Sequence, residues 1–181
     1  MVFCRRIDME TKTLEQYGSI RLGIPDGASV TLLHIGDQQT IVTTGTGAEP
    51  SAVSRLPIGS GKTAAEYFQH DPPRPEEIEN AIIAVEDAVA SARRIISSGT
   101  RLFTMDETIR KIALISGVSD GAELTLTRDA MEQAFERLSA VILGRPNPRE
   151  EIPSGVAFAA TLLILREFMH HLQFLSITVK A

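Results

Sequence analysis

Three short stretches of this 181-residue chain place chemistry-bearing residue types close together. The first is LPIGSGKT, 56–63, which ends as phosphate-binding loops end. A nucleotide P-loop reads G-x-x-x-x-G-K-[ST], with backbone N–H groups curled around the phosphates and the lysine reaching them. Aligning Lys62 and Thr63 with that ending puts the required opening glycine at position 56, which is Leu56. The preceding AEPSAVSR is polar and alternating, unlike the buried parallel strand from which such a loop emerges. The segment reads instead as a strand-to-helix turn, with Gly59 and Gly61 giving backbone freedom and Ser60 near a helix N-cap. Ser60 has no His or Asp at a triad spacing.

The second stretch is HIGDQQT, 34–40, and the third MDET, 105–108. His34 can be a metal ligand, the remnant of a site or a strand-end histidine; alone, it reads as structural or solvated. Asp37 suits a hairpin turn. Asp37, Asp106 and Glu107 offer oxygens that a hard divalent cation could share across a cleft, but the favoured reading makes Asp106 a helix cap and Glu107 part of the first turn. His170 and His171 are adjacent and so do not form an i, i+4 metal pair. Glu86 and Asp87 read as solvent-face charges.

The elements that must position these residues follow from pattern. Residues 14–22 form one helical turn or an edge strand, and IPDGAS, 24–29, is a turn. Strands at 30–36 and 40–45 form a hairpin, and a third is expected at 52–58, which Pro57 places at a sheet edge or strand end. Helices are expected at 61–69, at 75–96 after the break HDPPRP, at 106–117, within 125–143 capped by Thr127, and at 154–172. Further strands are expected at 101–105 and 174–179, and a Pro-rich connection over 144–153. An antiparallel meander followed by α/β crossovers makes a mixed sheet flanked by helices. That order matches the ribonuclease-H-like fold found in each lobe of actin-like phosphotransferases, here as one domain over 1–181.

Composition narrows the function classes. The chain is 43% hydrophobic and 23% charged, with a net charge of −5, no Trp and 5% aromatics. A large basic field is missing, which argues against nucleic acid, and an aromatic stacking platform is unsupported. Cys4 is the single cysteine, an incidental thiol near the N-terminus that fits a reducing compartment. The longest apolar stretch, VAFAATLLILREFMHHLQFL, is interrupted by Arg166 and Glu167 and reads as a buried helix, not a membrane span. A cytoplasmic protein is expected.

From residue 14 onward the chain resembles the second lobe of the exopolyphosphatase and guanosine pentaphosphate phosphatase family, Ppx/GppA. SRLPIGSGKTAAEYFQHDPP, 54–73, matches a family segment in its LP, G, F and DPP. HIGDQQT occupies the place of a D-I-G-G-G-S-T phosphate loop, LTRDAMEQAFERL resembles a family helix, and RPNPREEIPSGVAFAATLLILREF resembles the segment before the last long helix. The resemblance implies vestigial phosphate loops at His34, Gly36, Asp37, Gln38, Gln39 and Thr40, and at Asp106, Glu107 and Thr108. It also marks departures: His34 replaces an acidic residue, Asp37, Gln38 and Gln39 replace small ones, and Met105, Asp106 and Glu107 stand where glycines belong. A first lobe, which in the family supplies the other phosphate loop and an essential glutamate, has no counterpart in these residues.

The expectation is a non-catalytic binding or regulatory protein with no catalytic residues and no resident metal, assembling as a homodimer or with a companion protein, and able to take a small phosphorylated ligand. The alternative is an exopolyphosphatase-like phosphoanhydride hydrolase, using magnesium, whose site a second chain or a dimer cleft completes. The partner expectation rests on the apolar stripes of the helices at 75–96 and 154–172, part of which would face a companion.

Overall fold

The computed structural model describes residues 2–145, 153 and 155–181. Cys4's side chain and most of the connection over 144–153 lie outside the described residues. In chain order the elements are α1 (Val2–Arg21), β1 (Val30–Ile35), β2 (Thr40–Gly45), β3 (Ala52–Leu56), α2 (Ser60–Tyr67) and α3 (Pro75–Ala90). A 3-10 turn, Ser91–Arg94, follows α3, then β4 (Arg101–Thr104), α4 (Glu107–Ile115), β5 (Glu123–Thr127), α5 (Arg128–Ile142), α6 (Val156–His171) and β6 (Ser176–Lys180).

The six strands form one mixed sheet in the order β3-β2-β1-β4-β6-β5. The β1–β2, β2–β3 and β5–β6 pairs are antiparallel, whereas β1–β4 and β4–β6 are parallel. Parallel neighbours need crossover connections, which the intervening helices supply. The parallel centre is apolar on both faces, as such strands require. On one face Leu33, Ile35, Leu102, Ile177 and Val179 join α2–α6 in the main core. On the other, Val30, Leu32 and Phe103 pack under Tyr17 and Ile20 of α1 and under Ile24.

Two expectations are corrected. Residues 14–21 are the last part of the long helix α1, and Leu22 begins the turn after it. Thr13, Tyr17 and Ile20 are buried at helical spacing, and the Arg21 guanidinium is held by the carbonyls of Ala28 (2.7 Å) and Thr46 (3.0 Å). The segment before α5 is also a strand, β5, whose Leu124 and Leu126 alternate with exposed neighbours as an edge strand with one covered face does. Other limits shift by a few residues: the helix expected at 75–96 leaves α-geometry at Ala90.

α6 explains the most apolar stretch of the sequence. Eleven of its sixteen residues are buried, among them Glu167. A helix apolar around its circumference belongs in the interior, and α6 packs against α2, α3, α4 and α5. The apolar stripe of α6 is therefore covered within the domain, whereas α3 leaves Ile83 exposed. Large exposed apolar side chains are scattered, with Leu22, Ile83, Leu143 and Leu175 the most exposed among the described residues. None of the described helices is long and apolar enough to cross a membrane.

Candidate functional site

The loops that follow β1 and β4 lie side by side because those strands run parallel as neighbours. This juxtaposition gives His34 a partner that the sequence did not disclose. Its Nδ1 lies 2.6 Å from Asp106 Oδ1, and Asp106 Oδ2 accepts the backbone N–H of Ile35 at 2.7 Å. Both side chains are largely shielded, with 17% and 9% of their surface exposed. Asp106 does occupy the N-cap position of α4, but its carboxylate makes no capping bond to that helix. It is turned across to β1 instead. The Asp106 N–H in turn donates to the buried Thr104 Oγ1 at 3.1 Å.

The β1–β2 turn is closed by Gly36 N–H donating to the Gln39 carbonyl at 3.0 Å. Asp37 and Gln38 are exposed at its tip, where Gln38 Nε2 donates to Asp37 Oδ2 at 2.6 Å. Thr40 sits opposite Ile35, and His34 opposite Ile41. Residues opposed across an antiparallel pair share a face while successive residues alternate, so Thr40 is turned to the helical core and away from His34. Its hydroxyl is buried without a hydrogen-bond partner. Thr40 is therefore not positioned to meet a ligand beside His34. Thr108 lies in the first turn of α4, half-buried, and Glu107 beside it is exposed.

The GSGKT segment folds against this same turn. The N–H groups of Gly61 and Lys62 donate to the Asp37 carbonyl at 3.0 and 2.9 Å, and Ser60 N–H donates to Gly36 O at 2.9 Å. A helix start leaves its first N–H groups without intrahelical partners, and these are the donors a phosphate would use. In α2 they are taken by backbone carbonyls. The approach is close: a Cβ on Gly59 would lie 2.5 Å from the Asp37 carbonyl oxygen, and one on Gly61 would meet the Asp37 carboxylate. Gly59, not Ser60, takes the N-cap position. The Lys62 ammonium turns back to the Pro57 carbonyl at 2.8 Å.

The structure thus brings His34, Asp106 and the 36–40 turn together, but not as an anion cradle. Ile35, Gly36, Ser60, Gly61, Lys62 and Asp106 all donate their backbone N–H groups within the protein. Nor do Asp37, Asp106 and Glu107 converge as a cation site. Among the described residues, one group of three potential metal ligands has its atoms within 4.8 Å of one another, and it lies elsewhere. Both oxygens of Asp106 are already engaged, so these three residues do not supply the oxygen cage that magnesium needs.

Among solved structures, the fold is similar to that of the Ppx/GppA enzyme of Aquifex aeolicus, with a TM-score of 0.71 at 20% identity over 91% of this chain and 57% of that one. A further structure of the Aquifex aeolicus Ppx/GppA family member superposes with a TM-score of 0.70 at 18% identity, over 91% of this chain and 56% of that chain. An exopolyphosphatase from Cytophaga hutchinsonii gives a TM-score of 0.70 at 12% identity, over 94% of this chain and 58% of the other. No family model and no curated protein matches the sequence. The chain spans less than two thirds of the length of each of these structures. Over that span it shares the fold of these structures, a mixed sheet flanked by helices.

Proposed function

We propose that this domain is a non-catalytic binding or regulatory module built on a Ppx/GppA-like lobe. The observation that carries this reading is the position of the Asp106 carboxylate. It bridges His34 and the Ile35 N–H at the junction of the two loops, so a fixed negative charge holds a donor that a bound phosphate would compete for. Asp37 and Glu107 add carboxylates at the exposed rims of the same loops, and like charges disfavour a phosphate there. A homodimer or a companion protein in the cytoplasm remains part of the proposal, and sedimentation equilibrium over a wide concentration range tests it.

The activity test uses the purified chain with magnesium and either inorganic polyphosphate or guanosine pentaphosphate. Phosphate release at the level of a buffer blank is expected. Turnover well above the blank, abolished by Asp37→Asn or Glu107→Gln, overturns the proposal.

One observation favours the alternative, an exopolyphosphatase-like hydrolase completed by a second chain. A histidine ring held by a carboxylate at 2.6 Å is the arrangement by which a general base is oriented. In that reading the other chain supplies the phosphate donors that this one lacks. Phosphate release that appears only on adding that chain, and disappears with His34→Ala, would favour it.

A further inference from the structure

At the end of the sheet opposite His34, α3 and α6 bring together Glu86, Glu167 and His171. Two carboxylate oxygens converge on one ring nitrogen: Glu86 Oε1 lies 3.1 Å and Glu167 Oε2 3.2 Å from His171 Nε2. Nε2 carries at most one hydrogen; it is hydrogen-bonded to Glu86 Oε1, and Glu167 Oε2 stands at ion-pair distance from the same nitrogen. The three ligand atoms all lie within 4.8 Å of one another. A tetrahedral zinc ion with bonds of about 2.0–2.1 Å sets its ligand atoms roughly 3.3 Å apart, close to the two distances here.

Charge and burial point the same way. The Glu167 side chain is 1% exposed, and a carboxylate is costly to bury without compensation. Its other oxygen, Oε1, takes the Arg166 guanidinium at 2.5 Å, leaving Oε2 toward His171. Arg166 also holds Glu132 Oε2 at 2.9 Å, while His170 Nδ1 stands 3.8 Å from Glu132 Oε1. Arg93 reaches this end of α6 at the rim, donating to the His171 carbonyl. Glu86, Glu132 and Glu167 thus bring three carboxylates to this end of α6 against two guanidinium groups.

We propose that Glu86, Glu167 and His171 bind a zinc-type divalent cation. The ion clamps α3 to α6, and water or a further ligand takes the fourth position. Glu167 and His171 stand four residues apart on one helix, so their side chains meet on the same face, and the half-exposed Glu86 closes the set from α3. The mixed nitrogen and oxygen donors select zinc or cobalt over magnesium, which favours six oxygens. This inference is independent of the proposed function.

The test uses the full chain, stripped with chelator, and Zn²⁺ alone. Titration calorimetry is expected to show saturable binding of one ion per chain, with a rise in melting temperature. Cobalt(II) is expected to give the intense visible absorption of a tetrahedral site. Glu86→Gln, at a half-exposed position that leaves the fold intact, should weaken Zn²⁺ binding at least about tenfold, as should His171→Ala. Absence of saturable binding to the wild-type chain overturns the proposal. So does Zn²⁺ binding that survives both substitutions, or that is lost instead with His34→Ala.

Discussion

His34 Nδ1 and Asp106 Oδ1 are 2.6 Å apart although 72 residues separate them in the chain, and the other oxygen of Asp106 accepts the N–H of Ile35. The carboxylate thus fastens the end of β1 to the start of α4 at two points. Asp106→Ala leaves the N–H of the buried Ile35 without its acceptor, which costs about 1–3 kcal/mol. Asp106→Asn keeps an acceptor oxygen and should cost less. Urea unfolding of both variants and of His34→Ala, combined as a double-mutant cycle, should give a coupling of at least about 0.5 kcal/mol between the two residues. Additive effects would show that the contact contributes nothing to stability.

Gly59 and Gly61 flank one residue in the same motif and should respond differently to alanine. At Gly59 an added Cβ meets backbone, the Asp37 carbonyl oxygen at 2.5 Å and the Gln38 carbonyl carbon at 2.6 Å. Backbone cannot swing away, so Gly59→Ala should destabilise by about 1–3 kcal/mol. At Gly61 the obstacle is the Asp37 carboxylate, the end of an exposed side chain that can rotate clear. Alanine also favours the helix by up to about 1 kcal/mol. Gly61→Ala should therefore be near neutral. Thermal melts of the two variants side by side decide this.

The sheet was legible wherever strand pattern and turn chemistry agreed, as at the β1–β2 hairpin, where apolar runs flank Asp37-Gln38-Gln39. Two elements escaped for different reasons. In α1 the buried positions Thr13, Tyr17 and Ile20 are helically spaced, but polar residues and Gly18 surround them. In β5 the strict alternation of Leu124 and Leu126 was present, yet it runs straight into the N-cap of α5 at Thr127. The site was less legible because its decisive contacts are long-range. His34 looked solitary since Asp106 is brought to it by the parallel pairing of β1 with β4. For Glu86, read as a surface charge, the half-signal was the i, i+4 spacing of Glu167 and His171, which the adjacent His170 and His171 obscured.

Lys62 completes a sequence that looks like a nucleotide loop, but its ammonium donates to the Pro57 carbonyl, and its backbone N–H and that of Gly61 go to Asp37. A P-loop lysine contacts the β- and γ-phosphates, so its loss would be severe. Here Lys62→Ala should leave nucleotide affinity unchanged and alter stability by about 0.5 kcal/mol or less. Micromolar ATP binding that disappears in the variant, measured by calorimetry, would require a rearranged loop.

Glu77 gives the domain a defined sensitivity to acid. Burial works against its charged form, but the Arg74 N–H, the His70 ring and the Gln69 N–H all bond to the carboxylate and outweigh it. The net result holds its pKa at about 2, against an ordinary value of 4.5. A carboxyl with a lowered folded pKa binds its proton more weakly in the folded than in the unfolded chain. Its contribution to stability is therefore complete above about pH 4.5 and is lost progressively as pH falls toward about 2. Glu77→Gln removes the titrating group, and with it the anionic acceptor at the first turn of α3. The variant should be less stable than the wild type at neutral pH, and the gap between their urea midpoints should narrow through that acidic window. A gap that stays constant from neutral pH down to about pH 2 would mean that the Glu77 carboxylate has no special hold on its charge.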